Sequence, residues 1–168
     1  MNTDFIQIVS YASKAPSGHN TQPWKFVIAD SAITIVPNLE VALPVVDGNN
    51  RELFISLGCA VENLCIAASH FGYKTQLAEY SVKGIIIELT KSDFIIEDIL
   101  FHQIEKRQTN RSIYNGNKIS NGALEQLQSI HKKGTIQLYF IEIGTSLAGT
   151  ITDYIMKGNE IQMNDVTF

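Results

Sequence analysis

Very little basic charge, few cysteines and no low-complexity tract are the first things the sequence withholds. Lysine and arginine number 13 against 17 aspartate and glutamate, giving a net charge of −4 and a pI near 5.5. No global field therefore draws the chain to nucleic acid or to an anionic membrane, and any phosphate it holds must be held by a local site. The two cysteines, Cys59 and Cys65, fall six positions apart in one apolar segment. On a helix they point in different directions, which excludes a disulfide or a metal pair and leaves two small apolar residues. No continuous apolar run approaches the roughly 20 residues of a membrane span. The start, Met1-Asn2-Thr3-Asp4, lacks the basic and apolar regions of a signal peptide, so the chain reads as cytoplasmic. Only four prolines and 18% charged residues, beside 45% hydrophobic ones, set disorder aside.

What is present suits one ordinary core. A chain of 168 residues buries about 70% of the surface it would expose unfolded. Thr3 reads as the cap of a first helix to Ser13, with Phe5, Val9 and Ala12 on its inner face. Residues 24–29 and 33–36 flank a short turn as a hairpin, and Arg51 to Phe71 is apolar nearly all round, a central buried helix stopped by Gly72. Residues 73–80 and 82–89 read as two more strands. An amphipathic helix is expected from Asp93 or Glu97 through Ile104, then one capped by Ser120 with Leu124, Leu127 and Ile130 inward. A strand over 136–143 and a helix over 146–157 complete the pattern. The order predicts an α+β fold, a mainly antiparallel sheet packed by helices around a long buried central helix.

Two segments carry chemistry. The loop Pro16-Ser17-Gly18-His19-Asn20-Thr21-Gln22-Pro23-Trp24 offers donors and acceptors at Ser17, His19, Asn20 and Gln22. Gly18 allows close backbone approach and Trp24 gives a rigid wall, a set that suits a planar heterocycle with carbonyls and ring nitrogens. The same residue types also suit a loop that merely caps the next element. In Arg107-Gln108-Thr109-Asn110-Arg111, two guanidinium groups four positions apart with a hydroxyl between them can grip a phosphate, or can form a solvated basic turn at a helix end. The remaining histidines carry less. His70 reads as a packing or capping residue, and His102 and His131 lack carboxylate or cysteine at ligand spacing, so no metal site is expected. A Ser17, His19, Asp47 triad can be drawn, but no spacing favours it.

The string from Ala15 to Phe26 resembles the loop by which nitroreductase-family flavoproteins hold flavin mononucleotide (FMN). Arg51 to Leu64, with Ala67-Ala68 and Phe71-Gly72-Tyr73, is similar to that family's central helix. The resemblance implies a nitroreductase-like fold with Ser17, Gly18, His19, Asn20 and Gln22 in the cofactor site: Ser17 and Asn20 bonding the flavin ring system, His19 and Gln22 with Trp24 shaping the pocket, and Arg107, Thr109 and Arg111, joined by Gln108, on the phosphate. It implies an FMN-dependent oxidoreductase in which NADH or NADPH delivers hydride to the flavin and a nitroaromatic or quinone-like small molecule takes the electrons. No protein acid or base is obligatory for that chemistry. The alternative is a flavin-binding, storage or sensor protein without turnover, and a plain α+β interaction domain stands beside both. One departure is informative: the basic element lies 85 residues after Gln22 instead of preceding the loop. That order resembles the double-length branch, in which one chain imitates the usual dimer. On this resemblance residues 1–105 form a first half and 106–168 the start of an incomplete second, so the assembly is a homodimer or an intrachain pseudo-dimer.

Overall fold

The computed structural model describes residues 2–130 and 137–166. His131 and the first residue of the expected last strand lie outside them. The chain divides into two compact units, Met1–Gln108 and Thr109–Phe168.

The first unit holds the core. Helix α1 (Thr3–Ala12) is capped by Asn2, not Thr3: the Asn2 side chain accepts the Asp4 backbone N–H at 2.9 Å. It buries Phe5, Ile8 and Ala12, with Val9 at the margin. Strands β1 (Trp24–Ile28) and β2 (Ala32–Pro37) form the expected hairpin, with Trp24 opposite Pro37 and Phe26 opposite Ile35. Strands β3 (Tyr73–Ser81) and β4 (Gly84–Lys91) form a second, bulged between Leu77 and Glu79. Joined through β2 and β4, they make one antiparallel sheet in the order β1-β2-β4-β3. Ile33, Ile35, Ile87 and Leu89 alternate along β2 and β4 and are buried, as a sheet covered on one face requires.

Helix α2 (Arg51–His70) lies across the core. Leu53, Ser56, Leu57, Ala60, Leu64, Ala67 and Ala68 are buried at helical spacing. Two hydrogen bonds from Phe71 and Gly72 N–H to the Ala67 and Ser69 carbonyls close its C-terminus, and Gly72 takes a φ of +71° where glycine is favoured. By length and composition alone α2, with a mean hydropathy of 1.4, is apolar enough to cross a membrane, which amends the expectation that no segment is. In this fold α1 and the sheet cover its apolar stripe. Cys59 and Cys65 are free and half-buried on α2, and burial pushes the Cys65 thiol up.

Residues 93–104 depart from the expected helix. They form turns and a short 3-10 segment at Phe101–Gln103. The Ser92 hydroxyl accepts Phe94 N–H and the Asp98 carboxylate accepts Leu100 N–H, local bonds that compete with a helical ladder. Phe94, Ile96 and Ile99 face solvent, and only Phe101 and Ile104 enter the core. Phe101 stacks on His70 at 3.9 Å, and Glu97 bonds His70 Nδ1 at 2.5 Å and contacts His102 Nε2 at 3.1 Å. The His70 hydrogen bond holds the Glu97 carboxyl below its ordinary value.

The second unit carries helices α3 (Asn121–Ile130) and α4 (Ser146–Met163). Ser120 caps α3 through Ala123 N–H as expected, and α4 runs about a turn and a half beyond the expected end, opened by the Thr145 side chain. Leu124 is half-buried, whereas Leu127 is exposed. The expected last strand does not form over 137–143. A strand needs a ladder partner, and none of the described residues of this unit forms one. No described residue of the second unit is buried.

Candidate functional site

The loop after α1 owes its shape to its own backbone. Gly18–Asn20 makes one 3-10 turn, with Asn20 N–H bonding the Ser17 carbonyl at 3.0 Å. The Gly18 carbonyl accepts from both Thr21 N–H and the Thr21 hydroxyl. The Ser17 hydroxyl accepts Gln22 N–H at 2.9 Å across the loop, and Trp24 N–H bonds the Gln22 carbonyl at 2.8 Å. The chain then enters β1 with Pro23 and Trp24 buried.

Three residues of the loop, none of them glycine, have positive φ: His19 at 49°, Asn20 at 57° and Gln22 at 49°. Asn and His tolerate this region better than most residues, while glutamine there is uncommon and costs about 1–3 kcal/mol. The conformation turns the side chains outward. His19, Asn20 and Gln22 are exposed and none makes a side-chain hydrogen bond among the described residues, which leaves their amide and imidazole groups facing solvent.

Beneath the loop lies the first turn of α2. Asp47 is 6% exposed and its two carboxylate oxygens accept the N–H groups of Glu52 and Leu53, at 3.0 and 2.9 Å. These are the orphan donors of a helix start, and a buried carboxylate there also meets the positive end of the helix dipole. That bonding answers the triad drawn from Ser17, His19 and Asp47: the carboxylate is committed to a helix cap. The Ser56 hydroxyl accepts Gly18 N–H at 3.2 Å and donates to the Glu52 carbonyl at 2.8 Å. A cavity of about 10 Å³, lined by Gly18, Thr21, Asp47, Glu52 and Ser56 among others, separates loop from helix. It has room for about one water molecule. A ring system does not fit in that cavity, and His19, Asn20 and Gln22 lie on the outward, exposed side of the loop.

Ser17, Gly18, His19, Asn20 and Gln22 are thus gathered on one loop. Arg107, Gln108, Thr109 and Arg111 fall in an exposed segment without regular structure, with Arg107 N–H bonded to the Gln103 carbonyl. Arg107 and Gln108 close the first unit, and Thr109 and Arg111 open the second. Their side chains engage no described residue by hydrogen bond or ion pair. Ser56 and the capping role of Asp47 escaped sequence reasoning. A serine inside an apolar stripe with Leu53, Leu57 and Ala60, and an aspartate four positions before a helix start, were the available signals.

Fold and site together define an α+β protein that presents a polar, left-handed loop at the N-terminal turn of its buried helix. No family model matches the chain. A Mycobacterium tuberculosis (strain H37Rv) protein named "Putative NAD(P)H nitroreductase Rv3131" is 28% identical over 86 residues, 48% of this chain and 25% of that protein. A second from the same strain, "Putative NAD(P)H nitroreductase acg", is 25% identical over 101 residues, 60% of this chain and 30% of that protein. The chain spans between a quarter and a third of the length of these relatives. A crystal structure of a nitroreductase-like protein from Streptococcus mutans aligns with a TM-score of 0.46 and 14% identity, over 72% of this chain and 89% of that one. By its sequence relatives, the chain resembles the nitroreductase-like family.

Proposed function

We propose that this chain forms the flavin-contacting part of an FMN-dependent, NAD(P)H-using oxidoreductase whose acceptors are electron-poor, such as nitroaromatics or quinones. The observation that carries the reading is the loop: positive-φ backbone at three non-glycine residues within four positions is retained only where surrounding structure enforces it, and here it displays unengaged donors and acceptors to solvent. The names of the sequence relatives support the reaction class.

On this reading Ser17, His19, Asn20 and Gln22 bond the edge of the heterocycle, and Gly18, whose N–H and carbonyl are taken by Ser56 and Thr21, lets it approach the backbone closely. Asn20 and Gln22 each offer both an acceptor and a donor, which matches the alternating carbonyls and ring nitrogens of a flavin. Arg107, Gln108, Thr109 and Arg111 supply charge-assisted bonds of the kind a phosphate monoester takes. When bound, FMN would supply hydride and electron transfer between nicotinamide and acceptor, and these residues would bind and orient it. The assembly proposed is a homodimer or an intrachain pseudo-dimer.

Titration of the purified protein with FMN and with riboflavin, followed by flavin fluorescence, tests both residue sets. Asn20→Ala is expected to weaken both ligands about tenfold, while Arg111→Ala weakens FMN about tenfold and leaves riboflavin unchanged. Failure of the unsubstituted protein to bind either flavin overturns the reading. Bleaching of the bound flavin's visible absorbance by NADH or NADPH is expected; persistence of the band under anaerobic NAD(P)H would establish a binding protein without turnover.

A further inference from the structure

We infer that Ser56, on the core face of α2, is a positioning residue for the ligand-contacting loop. The inference rests on the proposed flavin role of that loop. Ser56 is 4% exposed and stands in the same stripe as Leu53, Leu57, Ala60 and Leu64, where alanine is the better helix former and buries no polar atom. Its hydroxyl works in both directions: it donates to the Glu52 carbonyl one turn back and accepts Gly18 N–H. Gly18 heads the 3-10 turn whose next residues, His19 and Asn20, are left-handed. Gly18 is also the residue whose carbonyl holds Thr21 twice. One side chain of the rigid helix therefore fixes the backbone from which the loop's outward groups project. A loop anchored to a helix loses less freedom when it binds, so the anchor favours ligand affinity.

The molecule contains its own control. Ser69, thirteen positions on in α2, has the same pattern: its hydroxyl donates to the Ile66 carbonyl at 2.7 Å and accepts Asp98 N–H at 2.8 Å. It anchors the 93–104 segment instead of the loop.

The experiment compares the unsubstituted protein with Ser56→Ala, Ser56→Thr and Ser69→Ala by FMN titration, thermal unfolding and amide hydrogen exchange in ligand-free protein. Ser56→Ala is expected to weaken FMN binding about tenfold and to accelerate exchange at Gly18, with Ser56→Thr restoring both because the hydroxyl returns. Ser69→Ala is expected to lower the Tm comparably, accelerate exchange at Asp98 and leave FMN binding unchanged. Equal weakening by Ser56→Ala and Ser69→Ala, or unchanged FMN binding in Ser56→Ala, overturns the inference. Should the unsubstituted protein bind no FMN, the functional reading and the ligand half of this inference both fall. Gly18 exchange still decides whether Ser56 holds the loop, and an unchanged rate rejects that as well.

Discussion

At Asp47 one carboxylate closes two of the four open donors of α2, and nothing else among the described residues bonds those N–H groups. Asp47→Ala is therefore expected to destabilise the protein by about 1–3 kcal/mol in urea unfolding, because it strands two partly or fully buried N–H groups. Asp47→Asn retains one good acceptor oxygen and should cost less. Glu97 behaves differently because it is exposed. Its carboxyl is held below its ordinary value chiefly by the His70 hydrogen bond, so its contribution to folding is present above the normal carboxylate range and fades as pH falls through the lowered folded value. Comparing wild type with Glu97→Gln should show a Tm difference above the carboxylate range that vanishes below it. A Tm difference that persists at the acid end would contradict the assigned pairing.

Between elements, β4 begins close against β2 at Gly84. Gly84 has a φ of +151°, and a Cβ there would lie 2.9 Å from the Ile35 carbonyl oxygen. Gly84→Ala must push β4 off its neighbour, and a loss of about 1–3 kcal/mol is expected by thermal or urea unfolding. The four strands and α2 were legible from the sequence because their patterns were long and unambiguous: alternation in Ile33 and Ile35, an apolar stripe of 20 residues, and Gly72 after it. Residues 93–104 misled because Ile96, Ile99 and Ile104 carry helical spacing, while the deciding bonds come from Ser92, Asp98 and distant His70. The stretch 137–143 misled for the opposite reason. Its composition favours a strand, but a strand is a property of two segments, and composition reports on one. The polar loop was recognisable from its residue types, whereas its left-handed backbone and its tie to Ser56 depend on α2 lying beneath it and left no local trace.

For the whole molecule, the distribution of burial is uneven. Every buried apolar residue described lies at or before Ile104, and the second unit exposes Ile113, Ile143, Leu147, Tyr154, Ile155 and others. A fragment ending at Gln108 is thus expected to keep the core. Its far-ultraviolet circular dichroism should show cooperative unfolding, with a Tm within a few degrees of the full chain; a non-cooperative transition would show that the second unit is needed. Limited proteolysis should cut first within the exposed, irregular 107–120 segment. The helix start beside the loop has a further consequence. A free helix N-terminus attracts anions, but that of α2 already faces a buried carboxylate, and Glu52 adds a second negative group next to Gly18. The electrostatic polarity of the loop's surroundings is therefore set before any ligand arrives. On the proposed flavin role, an anionic group placed beside Gly18 would face both carboxylates, so the phosphate end of the ligand is expected to lie away from this side of the loop.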